Sequence, residues 1–90
     1  MKKDELKRLA ILSNGECAIS KLRFNFEKIG PSFRSPFMPS IDRIDSSNGY
    51  SLENCRLVCL IVNIALSDWG DEAVLKMSKA IISEHLRDDF

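Results

Sequence analysis

Ten residues, Leu57-Val58-Cys59-Leu60-Ile61-Val62-Asn63-Ile64-Ala65-Leu66, are apolar except for one amide, and they constrain the fold more than any other stretch. The run is about half of what a membrane span needs, so it must be buried within protein. Cys59, Val62, Asn63 and Leu66 recur at i, i+3, i+4, i+7, the spacing of one helix face, while Leu60, Ile61, Ile64 and Ala65 make the other sides apolar as well. A helix apolar nearly all round is expected to be buried. An unpaired amide there costs a few kcal/mol, so Asn63 must meet a loop, a side chain or a metal.

The rest of the chain is read outward from this helix. Asp71 can cap a last helix whose inward stripe is Val74, Leu75, Ser78, Ile81, Ile82 and Leu86, with His85 on its inner side. Upstream, Ile41 and Ile44 flank Asp42 and Arg43 as in a strand, Ser46-Ser47-Asn48-Gly49-Tyr50 is rich in turn formers, and Cys55–Val58 reads as the returning strand. Residues 4–13 place Leu6, Leu9 and Ala10 on one helical face, stopped by Asn14-Gly15. Leu22, Phe24 and Phe26 alternate with polar residues as in a half-buried strand, and Gly30, Pro31, Pro36 and Pro39 punctuate an ordered loop. The expected class is α+β, in one domain spanning residues 1–90.

Charge narrows the partners. Thirteen basic and thirteen acidic residues give no net charge, so an argument for nucleic acid must come from a site. Residues 1–28 carry seven basic against four acidic side chains, and residues 57–90 carry three against six, so an anionic partner would meet the first half. Met1–Leu6 leads into an amphipathic segment without the pattern of a secretory signal, and Cys17, Cys55 and Cys59 cannot all pair within one chain. A reducing, cytoplasmic setting and no membrane are expected.

Asp42 on a strand, Asn54 in the polar loop and Asn63 on the following helix can bring a carboxylate and an amide oxygen to one hard cation. Those residues lie in PSIDRIDSSNGYSLENCRLVCLIVNIALSD, Pro39 to Asp68. This stretch resembles the core of HNH nucleases, the ββα-metal or His-Me finger superfamily. Within it the likeness is to a phage and bacterial subgroup built around Asp-Arg-Ile-Asp, Gly-Tyr, Glu-Asn-x-Arg-x-Val-Cys and a late Asn. ECAISKLRF, Glu16 to Phe24, resembles the segment that precedes such cores.

The resemblance implies a ββα-metal core over 39–68 with flanking N- and C-terminal helices. It implies one Mg²⁺ or Mn²⁺ held by Asp42 and Asn63, with Asn54 holding the loop through backbone hydrogen bonds. It also implies DNA as substrate, with Arg43, Arg56, Lys21 and Arg23 facing the nucleic acid. The chain would work as a homodimer or as a component of a larger phage or bacterial system. Where the common motif has Asp-His, with His as general base, this chain has Asp42-Arg43, and a guanidinium does not deprotonate. Arg43 instead suits phosphate. A comparison with nucleases carrying Asp-Arg-Gly-His puts Asp45 in the base position, a role that requires burial or a raised pKa; metal-bound water is the other candidate. The Cys-x-x-Cys pairs that hold structural zinc in many relatives read Cys17-Ala18-Ile19-Ser20 and Cys59-Leu60-Ile61-Val62, leaving two thiols, so zinc is not expected. A catalytically degenerate domain that binds nucleic acid or protein is the competing reading.

Overall fold

The computed structural model describes residues 1–86. Its elements are helix α1 (Lys3–Ser13), strand β1 (Pro39–Arg43), a 3₁₀ turn (Leu52–Asn54), strand β2 (Cys55–Cys59), helix α2 (Leu60–Leu66) and helix α3 (Asp71–Leu86). This is an α+β arrangement of three α-helices and one two-stranded antiparallel sheet.

Strands β1 and β2 pair in the register Ile41↔Leu57, Asp42↔Arg56, Arg43↔Cys55, which sets an acid opposite a base at the loop end of the hairpin. Helix α2 begins at the residue after β2, with no side-chain cap. Its first amides are satisfied from outside: Leu60 N donates to Met38 O (2.9 Å) and Ile61 N to Pro36 O (3.0 Å). The proline-punctuated loop therefore starts the helix, and the apolar run divides into a strand half and a helix half. Helix α1 ends where Asn14 and Gly15 adopt left-handed φ of 54° and 74°.

The core is small. Cys17, Val58 and Cys59 form its centre, with Ile19, Phe24, Phe37 and Val62 packed against them. Leu9 from α1, Cys55 from β2 and Leu66 from α2 are also buried. Three expectations are corrected. The segment around Leu22–Phe26 makes only an isolated bridge, Glu16↔Arg23, and leaves Leu22 and Phe26 exposed. The positive φ of Lys21 (65°) turns the chain back, Cys17 N donating to Leu22 O, so the alternating pattern has no neighbouring strand to pair with. Helix α2 is buried on one side only, because no described element covers Ile61 and Ile64. Helix α3 packs against α2, yet none of its residues is buried.

Candidate functional site

The expected site residues lie on one hairpin and the helix after it. Asp42 is 8% exposed. Its Oδ2 accepts from Arg56 Nε at 2.8 Å, across the strand pair. The same guanidinium turns its other edge to Asp71 at the start of α3, with Nη1 to Oδ2 at 3.0 Å and Nη2 to Oδ1 at 2.6 Å. One arginine thus bridges the hairpin to α3, and the forked geometry suits it. The Asp71 carboxylate, then Asp42, raises the pKa of Arg56 above its ordinary value. Arg56, expected on a nucleic-acid face, is engaged by two carboxylates in the structure.

That link sets an acid response. The hydrogen bonds from Arg56 hold the Asp71 pKa below its ordinary value. A carboxylate depressed in the folded state stabilises the fold fully above its unfolded pKa of about 3.9, and the gain is lost as pH falls through the folded value. We expect thermal stability to drop below about pH 4. Asp71→Asn should flatten that part of the profile in melts followed by circular dichroism; an unchanged acid slope in the variant would contradict the assignment.

Asn63 stands over β1. Its Nδ2 donates to Ser40 Oγ (2.7 Å) and to Ile41 O (3.1 Å). Ile41 O can only accept, so the amide cannot be turned round, and with both hydrogens engaged Oδ1 faces away from these two partners. Ser40 and Asp42 share one face of β1, two residues apart. The half-buried amide is therefore satisfied by the strand that carries Asp42.

The loop between the strands is organised by Asn54. Its Oδ1 accepts from Asp45 N (3.0 Å), and its Nδ2 donates to Asp45 O (3.0 Å) and Gly49 O (2.9 Å). Asp45 is also tied locally: Ser47 N (3.0 Å), Ser47 Oγ (2.6 Å) and Asn48 Nδ2 (3.0 Å) donate to its carboxylate. These bonds, those from Ser47 first, lower its pKa. A base in this position needs the opposite shift; in the structure the Asp45 carboxylate accepts these bonds and stabilises a turn. Arg43 lies along the same loop, its guanidinium 4.9 Å from the Tyr50 ring centre and Nη1 donating to Asn48 O at 3.3 Å.

Asp42, Arg43 and Arg56 line a small cleft of about 70 Å³ with Ser46, Leu66, Asp68 and Asp71. Sequence reasoning had Asp71 only as a cap and gave no role to Asp68 or Ser46. Nothing in their spacing pointed to a site, because the chain reaches it through the Ser67–Gly70 turn. Lys21 lines a groove between α1 and β2 that Arg56 also borders, and Arg23 bridges back to Glu16. His85 sits exposed in the last turn of α3, not on an inward face.

The thiols form a separate cluster. Cys17 Sγ accepts from Cys59 N (3.3 Å) and Ser20 N (3.5 Å). Burial pushes the Cys17 thiol up, but hydrogen bonds from Ser20, Cys59 and Ile19 outweigh it and bring it to about 7; burial and the neighbouring Cys17 raise Cys59. Among the described residues no group of three or more His, Cys, Asp or Glu could hold a metal, and no helix is long and apolar enough to cross a membrane. Compared with family models, curated proteins and solved structures, the chain matches none.

Proposed function

We propose that the chain is an HNH-like, ββα-metal domain that hydrolyses DNA phosphodiester bonds with one Mg²⁺ or Mn²⁺. The observation that carries this reading is the Asn63 amide locked by its nitrogen onto the strand of Asp42. That strand belongs to a hairpin followed directly by the helix that carries Asn63. Carboxylate plus amide oxygen is a hard-donor set of the kind Mg²⁺ takes when water and phosphate complete its shell. Asp42 and Asn63 would hold the ion. When bound, it supplies Lewis-acid polarisation of the phosphate and eases ionisation of water.

The protein's own groups do the remaining work. Arg56 fixes Asp42 in one orientation through a single oxygen. Arg43, at the rim of the cleft, meets a non-bridging phosphate oxygen once its weak bond to Asn48 O opens. Asn54 keeps the loop that carries Arg43 in register with β2. No imidazole or raised carboxylate stands at the motif position of the usual base.

A second reading, a degenerate binding module, is favoured by one observation: the Arg56 guanidinium already neutralises Asp42 and opposes a second cation there. The test is nicking of supercoiled plasmid by the wild type and by Arg43→His, with Mg²⁺, with Mn²⁺ and with chelator. We expect metal-dependent nicking that Arg43→His increases, because it restores an imidazole at the motif position. No nicking by either protein with either metal removes the enzyme and leaves the binding module.

A further inference from the structure

We propose that a second copy of this chain covers α3, through an antiparallel, two-fold pairing of the two α3 helices. Helix α3 has sixteen residues and none is buried. Met77 and Ile81 on one side, and Leu75, Ile82 and Leu86 on the other, are all exposed, and Trp69 beside them is 77% exposed. At 3.6 residues per turn these apolar side chains span about half of the helix circumference, against a polar stripe of Glu72, Lys76 and Lys79. A helix of this length takes most of its stability from packing an apolar face. Contact with the short α2 leaves most of that face open.

The surface of the chain leaves room for such a partner. The chain exposes 7057 Å², whereas a compact monomer of 10.2 kDa exposes about 5,300 Å². Its radius of gyration is 14.7 Å, against about 12 Å for a compact domain of this length. The excess is ample for the roughly 800 Å² that each partner contributes to a stable interface.

The surface is also complementary to itself. Asp71 and Glu72 lie in the first turn of α3 and His85 in its last. An antiparallel pair opposes the two helix dipoles, whereas a parallel pair would align like ends. A groove of about 290 Å³, with Trp69, Met77 and Ile81 in its lining, gives the partner's aliphatic side chains a place to enter. The chain has no net charge to oppose association.

Light scattering from about 1 µM to about 200 µM tests the pairing. We expect twice the 10.2 kDa chain mass at the upper end. Ile81→Lys and Met77→Lys should each weaken association on the order of 30-fold or more, while Lys76→Glu, on the polar stripe, should leave it unchanged. Intermolecular nuclear Overhauser contacts between α3 methyl groups and the Trp69 indole, in a sample mixing labelled and unlabelled chains, keep the test decisive should a lysine variant misfold. A wild type that stays at the single-chain mass throughout overturns the proposal. So does a dimer indifferent to both lysine substitutions, or one lacking those contacts.

Discussion

Asp42→Asn should reduce metal-dependent DNA cleavage to background, a loss on the order of a thousand-fold, while the protein stays folded. The substitution keeps the shape and keeps an oxygen for Arg56 Nε, so the hairpin link survives as a neutral hydrogen bond. Arg56 also retains both bonds to Asp71. What disappears is the anionic donor, and a hard divalent cation held by so few protein groups depends on it. Mn²⁺ titration by calorimetry should show binding to the wild type and little to the variant, with matching thermal melts. If Asp42 only partners Arg56, the variant will nick plasmid as the wild type does, and the cation site is wrong.

The hairpin and its loop were legible in sequence because their determinants are local. Alternating Ile41 and Ile44, the Ser-Ser-Asn-Gly turn and the Asn54 side chain act within about ten residues, and the structure has Asn54 bonding the loop backbone at Asp45 and Gly49. The state of Asp45 was not legible. Its role turned on a pKa, and the serine two residues on lowers it. The same limit applied to Arg56, whose neighbours Asp42 and Asp71 come from different elements, one fourteen residues before it and one fifteen after. Periodicity placed α3 correctly in kind and misjudged its surroundings, because an apolar stripe reports that a face is to be covered without saying by which chain.

This arrangement makes the site dependent on a core with few members. Leu66 is 2% exposed, lines the cleft with Asp42 and lies three residues after Asn63 on α2. Its side chain is apolar and closes one wall of the cleft. Leu66→Ala removes packing at one of six buried apolar residues among those described, and such truncations cost about 2–5 kcal/mol. In a domain of this length about 3 kcal/mol corresponds to a fall in melting temperature of roughly 12–24 °C. The short α2 can move into the space only by drawing Asn63 away from Ser40 and Ile41, so cleavage at a temperature where the variant is still folded should fall as well. Lowering stability without lowering cleavage per folded molecule would show that α2 holds Asn63 in place independently of Leu66. A melting temperature within about 3 °C of the wild type, well under the effect of a cavity, would mean that the cleft wall is already loose. In that case the rigidity the site needs to hold Asp42 and Asn63 together would have to come from the Asn63 hydrogen bonds alone.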